Sequence, residues 1–278
     1  MKRLFASALL LVVGCDRPAP PPATEPNAPP PAASASAVPL PKEPAAEPPA
    51  PTRPRAGELH YVERILGDAN RDDPLPMVVA IHGLGDDPDN FTHLFDAFAG
   101  PARLILPQGV DATDNGGWSW FPIRARSQDV EGLAAGIRSS ADKIAGAIEA
   151  LRASRPTVGV PIVTGFSQGG MLTFTLAIHH PDQVGHALPI GGWLPPPLWP
   201  EQAPTSTHPP IVAFHGTADN AVRYEPTAQA VQALVDKGYT VKLNSYEGVR
   251  HAIPPRMRTA FHDQLEDALR ATTAVETP

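Results

Sequence analysis

Gly165-Phe166-Ser167-Gln168-Gly169 sets a serine between two glycines, directly after the apolar run at 160–164 and directly before residues 171–178, whose register is helical. A serine on a tight strand-to-helix turn holds its hydroxyl clear of the sheet edge, and small flanking residues let the turn close. The chemistry this suits is attack by an activated hydroxyl on an acyl carbon. A helix starting just after Ser167 also aims free N–H groups and a positive dipole end at any oxyanion that forms there.

A serine hydroxyl is a poor nucleophile until a base takes its proton, so the motif requires a histidine and a carboxylate to orient it. Behind an elbow of this kind they follow in the order Asp or Glu, then His, each on a loop after a strand. Residues 211–215 read as a strand that leads into Gly216-Thr217-Ala218-Asp219, and residues 240–246 as another that leads into Glu247-Gly248-Val249-Arg250-His251. Asp219 and His251 are therefore the candidate orienting acid and base. Upstream, the apolar strand at 77–81 runs into His82-Gly83-Leu84-Gly85-Asp86. Glycines on both sides of Leu84 free its N–H to turn toward the site, with the N–H of Gln168 as the second oxyanion donor.

Two other histidines, His82 and His215, also follow strands. Each precedes a glycine, no H-E-x-x-H or H-x-x-E-H spacing is present, and no carboxylate stands at ligand spacing, so neither a metal nor a cofactor is expected. His179 and His180 end the helix behind the elbow, where capping of its last carbonyls is expected.

The elements that must position these groups alternate. Strands at 76–81, 102–106, 160–164, 186–190, 211–215 and 240–246 are interleaved with helices at 130–152, 168–180, 225–237 and 255–270. That order predicts an α/β domain with a mostly parallel, doubly wound sheet and helices on both faces.

With these residues in view, the chain resembles the phospholipase/carboxylesterase family of α/β-hydrolases, which includes the acyl-protein thioesterases. The matching pieces are His82-Gly83-Leu84-Gly85-Asp86, Asn115-Gly116-Gly117 ahead of Trp120-Phe121, Gly165 to Gly170, Gly191-Gly192-Trp193-Leu194-Pro195, His215-Gly216 ahead of Asp219, and Gly248 ahead of His251. The resemblance implies an α/β-hydrolase fold, a Ser167–His251–Asp219 triad and an oxyanion hole from the amides of Leu84 and Gln168. It implies a serine carboxylesterase that cleaves acyl esters through an acyl-enzyme, with thioesters and lysophospholipids as further candidate substrates. It also places Trp118, Trp120, Phe121 and Trp193 on loops around an acyl pocket, although such aromatics equally serve plain packing. Arg250, just before the base, and the acidic Asp87-Pro88-Asp89-Asn90 depart from the family pattern and leave the substrate open. The rival classes are a non-catalytic binding protein on a hydrolase scaffold and a depolymerase or feruloyl-type esterase, against which the lack of a cysteine pair argues.

The start of the chain has a different character. Lys2 and Arg3 precede an apolar run at 4–13, closed by Gly14-Cys15, which is the layout of an export signal. Leu11-Val12-Val13-Gly14-Cys15 resembles the lipobox of bacterial lipoproteins, in which the signal is cut before a cysteine that carries lipid. Cys15 is the single cysteine of the chain and so cannot pair within it. From 17 to 55 the sequence is rich in Pro, Ala, Glu and Ser and poor in large apolar residues, a composition that cannot offset chain entropy by burial. The expected organisation is a signal at 1–14, a lipidated Cys15 opening a Pro/Ala-rich tether at 15–56, a catalytic domain at 57–272 and a short tail at 273–278. The expected place is the bacterial cell envelope, with the enzyme anchored to a bilayer on the periplasmic or outer face. A formal charge of −7 without basic clusters gives no support to nucleic-acid binding, and no phosphate-cradling glycine loop appears.

Overall fold

Alternation along the central strands decides which side each helix takes. In β3 (Leu75–Ile81) the side chains of Met77, Val79 and Ile81 join one core cluster while those of Val78 and Ala80 join the other, so the strand is apolar on both faces. The computed structural model describes residues 53–114, 116–204 and 208–274. Its eight-stranded sheet is built from β1 (Arg55–Ala56), β2 (Leu59–Leu66), β3, β4 (Ala102–Pro107), β7 (Thr157–Phe166), β8 (His186–Ile190), β9 (Ile211–Gly216) and β10 (Val241–Tyr246), in the order β1-β2-β4-β3-β7-β8-β9-β10. A separate two-stranded hairpin joins β5 (Asp111–Ala112) to β6 (Trp118–Ser119). From β4 to β10 the neighbours are parallel, and β2 and β1 extend the edge antiparallel.

Helices cover both faces. Buried residues of α2 (Val130–Ser154), α3 (Gln168–His179) and α4 (Tyr224–Asp236) lie in one cluster, and those of α1 (Pro88–Phe91) and α5 (Pro255–Ala274) in the other. In α2 the apolar stripe Leu133, Ile137, Ile144, Ile148 and Leu151 recurs at helical spacing. Its start is fixed by Asp129, whose carboxylate accepts the N–H of Gly132 at 2.9 Å.

Strand β2 carries Glu63, which meets the fully buried Arg103 of β4 at 2.6 Å and Arg155 at 3.2 Å. Removing Glu63 would leave the buried Arg103 guanidinium without a carboxylate, at about 3–5 kcal/mol. Strand β1 falls within the stretch read as tether. Ala56 pairs with Leu59, so the folded domain begins ahead of residue 57, and α5 carries it on to Ala274. The expected signal at 1–14, Cys15, the tether as far as 52 and the tail from 275 lie outside the described residues. Among the described residues no helix is long and apolar enough to cross a membrane.

All parallel strands end on one side of the sheet. The loops after β3, β7, β9 and β10 therefore bring Leu84, Ser167, Asp219 and His251 to one edge.

Candidate active site

Ser167 has φ 57° and ψ −114°, and among the described residues it is the one non-glycine with positive φ. Such a conformation costs about 1–3 kcal/mol and persists only where the surroundings dictate it. Here they do. The Ser167 N–H donates to the Ile190 carbonyl at 3.0 Å, and the Ser167 carbonyl accepts the Met171 N–H at 3.0 Å. A Cβ on Gly169 would stand 1.9 Å from the Ile81 carbonyl oxygen, and one on Gly165 would stand 2.6 Å from the backbone of Gly169. The two glycines let the start of α3 close onto β3 and hold the turn.

His251 Nε2 lies 2.9 Å from Ser167 Oγ, and His251 Nδ1 lies 2.6 Å from Asp219 Oδ2. A carboxylate can only accept, so Nδ1 carries the proton and Nε2 is free to accept the serine's. The other Asp219 oxygen accepts the N–H groups of Ala221 at 2.9 Å and Val222 at 3.0 Å. Burial alone would raise the Asp219 pKa, but the neighbouring His215 and the hydrogen bonds from His251 and the Val222 amide hold it well below the ordinary carboxylate range. The ring of His251 stacks on Phe166 with centroids 4.6 Å apart and planes at 28°, which limits its rotation.

Leu84 and Gln168 line the same cavity of about 290 Å³ as Ser167. Among the described residues no hydrogen bond takes up the N–H of either. The Gln168 amide is set by its place at the first turn of α3. The Leu84 loop is pinned from outside: the Gly85 N–H donates to the Trp118 carbonyl at 2.8 Å and the Trp118 N–H to the Asp86 carbonyl at 2.9 Å. Beneath it, buried His82 donates from Nδ1 to the Gly83 carbonyl at 2.7 Å and accepts the Gly109 N–H on Nε2 at 3.0 Å. Burial pushes the His82 pKa down, against the Gly83 hydrogen bond and the nearby aspartates, and a second ring proton would face the Gly109 N–H.

The expected acyl-pocket aromatics do not line this cavity. Trp120 and Phe121 are buried in the core, Trp193 packs against the same core, and Trp118 borders a different cleft beside His60 and Lys143. Their work is structural. Trp120 Nε1 donates to the His82 carbonyl at 3.0 Å, and the Gln168 side chain accepts the Trp120 N–H at 3.0 Å and donates to the Phe121 carbonyl at 2.8 Å. Large apolar rings on a site-bordering strap are drawn inward because the core has room for them, and sequence does not distinguish the two outcomes.

The cavity wall is completed by residues no motif singled out: Arg124, Arg126, Asn220 to Val222, and Met171. Arg250 is exposed and is not part of that wall. His215 donates from Nε2 to the Val222 carbonyl at 2.9 Å and lies 3.5 Å from Asp219 Oδ2, so it walls in the acid. His179 donates to the Leu198 carbonyl and His180 pairs with Asp142, so both rings reach across to neighbouring elements, and the helix end is capped instead by the backbone N–H of His180 on the Leu176 carbonyl at 2.8 Å. Among the described residues no group of three or more His, Cys, Asp or Glu is arranged to hold a metal ion.

The sequence profile of the phospholipase/carboxylesterase family matches residues 68–268. A probable carboxylesterase of Oryza sativa subsp. japonica is 24% identical over 221 residues, covering 72% of this chain and 80% of the relative. Acyl-protein thioesterase 1 of Mycosarcoma maydis is 27% identical over 216 residues, covering 70% and 88%. Among solved structures, esterase PE8 superposes with a TM-score of 0.65 at 21% identity, covering 76% of this chain and 99% of that one. Arabidopsis thaliana SOBER1 does so with a TM-score of 0.57 at 21% identity, covering 70% and 99%. These likenesses bear on the fold, while the profile spans most of the chain. The chain belongs to the phospholipase/carboxylesterase family and is a serine hydrolase acting on ester bonds.

Proposed function

We propose that Ser167, His251 and Asp219 run a two-step esterase cycle on a small acyl ester. The observation that carries this reading is the unbroken chain from Asp219 Oδ2 through the His251 ring to Ser167 Oγ, at 2.6 and 2.9 Å, opening on a cavity. Ser167 Oγ bonds to the acyl carbon as its proton passes to His251 Nε2, and the carbonyl electron pair moves onto oxygen. The amides of Leu84 and Gln168 receive that charge. Collapse expels the alcohol, which takes the proton from His251. Water then attacks the acyl-serine and gives a proton to the same nitrogen, and collapse frees the acid and expels Ser167 Oγ, which takes that proton back. Asp219 stays ionised throughout and stabilises the imidazolium. A thioester follows the same path with a thiol leaving group, a reading supported by the likeness to acyl-protein thioesterase 1.

Replacing Ser167 by Ala should lower turnover by several orders of magnitude and abolish fluorophosphonate labelling in a folded protein. Retention of more than about a tenth of the activity would remove the assignment. We further propose that Cys15 carries lipid and holds the enzyme on the cell envelope, as the apolar run and its closing Gly14-Cys15 support. Cys15→Ser should move the activity from the membrane to the soluble fraction or leave the signal uncleaved. Wild type that fractionates as soluble without detergent speaks against the anchor.

A further inference from the structure

We infer that the ester this site takes carries an anionic group, a carboxylate or phosphate, close to the scissile bond, seated by Arg124 and Arg126. The inference rests on the serine-esterase reading above. Both arginines line the cavity that holds Ser167, and no Asp or Glu does. Asp219 stands just outside the wall, but its side chain is 2% exposed and its oxygens are engaged by His251 and two backbone amides. The positive rim is not a reflection of the whole chain, whose formal charge is −7.

Six arginines (Arg53, Arg64, Arg71, Arg103, Arg155 and Arg270) meet a carboxylate within ion-pair distance. Among the described residues Arg124 and Arg126 meet none, a state they share with Arg55, Arg138, Arg152, Arg223, Arg250, Arg256 and Arg258, but those seven do not line the Ser167 cavity. Among the described residues the one hydrogen bond of the Arg126 guanidinium runs from Nη1 to the Asn220 carbonyl at 3.0 Å, which ties it to the loop after Asp219. A guanidinium has five N–H donors, so this bond orients the group and leaves most of its donors for a ligand. Arg124 and Leu84 also line an adjoining cleft of about 600 Å³ that continues past Gly85 to Asp114. The carboxylate of Asp114 makes that cleft the poorer seat for an anion. The arginine-bearing cavity is the better one, within reach of the nucleophile.

A nucleophile cavity of about 290 Å³ is small for a ligand site and suits a short acyl group. Solvent-exposed charge pairs contribute up to about fivefold each, so two arginines should favour an anionic ester over its neutral counterpart by about five- to tenfold, less at high salt.

The test compares kcat/KM for matched esters in the full chain. One arm sets mono-para-nitrophenyl glutarate against para-nitrophenyl pentanoate, which places a carboxylate on the acyl side. The other sets butyrylglycerol phosphate against butyrylglycerol, which places a phosphate on the leaving group. Wild type should prefer the anionic member of at least one pair, and the arm that shows it identifies the source of the charge. In Arg124→Ala/Arg126→Ala that anionic-to-neutral ratio should fall about fivefold or more, with partial recovery in Arg124→Lys/Arg126→Lys. A ratio near one in both arms for wild type, or an unchanged ratio in the double variant, overturns the inference. Absence of turnover on every ester by wild type would instead strike the esterase reading itself, and this inference with it.

Discussion

The two amides proposed to receive the developing charge are held by different means. Gln168 is covalently next to the nucleophile, and its position follows from the elbow: a strained Ser167 between glycines whose Cβ atoms would strike Ile81 and the backbone of Gly169. Leu84 sits on a loop pinned by pieces distant in the chain. His82 and Gly109 lie below it, Trp118 beside it, and Arg53 reaches Asp87 and Asp89 at its far end at 3.0 and 2.7 Å. One half of the site is local geometry, and the other is tertiary structure. The first should fail all at once under substitution, the second by degrees.

The largest effect belongs to the proposed triad that serves the elbow serine. Asp219→Asn should lower kcat by about 10³–10⁴-fold, because an amide nitrogen facing His251 Nδ1 forces the ring proton onto Nε2, where it can no longer accept from Ser167. The same variant has a stability signature. The folded-state pKa of Asp219 is lowered from 3.8, so its stabilisation is fully present above that value and is lost as pH falls below it. Denaturation of wild type and variant at neutral pH and near pH 3 should therefore show the gap between them narrowing in acid. A gap that stays constant would mean that the carboxylate's charge is not what the fold uses.

An intermediate effect is expected under the tertiary half. His82→Ala removes the acceptor for the Gly109 N–H and the donor to the Gly83 carbonyl, and should lower kcat about ten- to a hundredfold with a smaller change in KM. Wild type carries its own test of this support. With a folded-state pKa below 6.5, His82 contributes stability that is present above 6.5 and is lost as pH falls through the folded value. Unchanged kcat in a folded His82 variant would show that the loop needs no support from below.

The smallest effect is at Arg53. Its pairs with Asp87 and Asp89 are part-exposed, so Arg53→Ala should lower kcat only about two- to fivefold. A chain starting at Gly57 should show at least that loss, since it lacks both Arg53 and β1, whereas a chain starting at Arg53 should match the full-length enzyme. Equal activity from both truncations would detach the N-terminal segment from the site.

This division also explains what was legible in the sequence. The parallel strands, the four long helices and the loops bearing Ser167, Asp219, His251 and Leu84 are visible because apolar periodicity and glycine spacing are local signals. Strand β1 and Arg53 were hidden in a Pro-rich stretch, because the carboxylates that meet Arg53 lie more than thirty residues away. Trp118, Trp120, Phe121 and Trp193 were placed on the right loops but not on the right side of them. Position along a loop says nothing about whether a ring turns to the cavity or to the core. Arg124 and Arg126 had no motif to announce them, since they reach the cavity only through the packing of the preceding Trp120-Phe121 strap.

The central claim is that Ser167 forms the covalent acyl bond, and the direct measurement is mass spectrometry of the enzyme quenched in acid during turnover of a para-nitrophenyl ester. An added acyl mass on the peptide containing Ser167, absent from Ser167→Ala, is the predicted result. Turnover with no acyl adduct on that peptide, or an adduct on another residue that persists in Ser167→Ala, would contradict it.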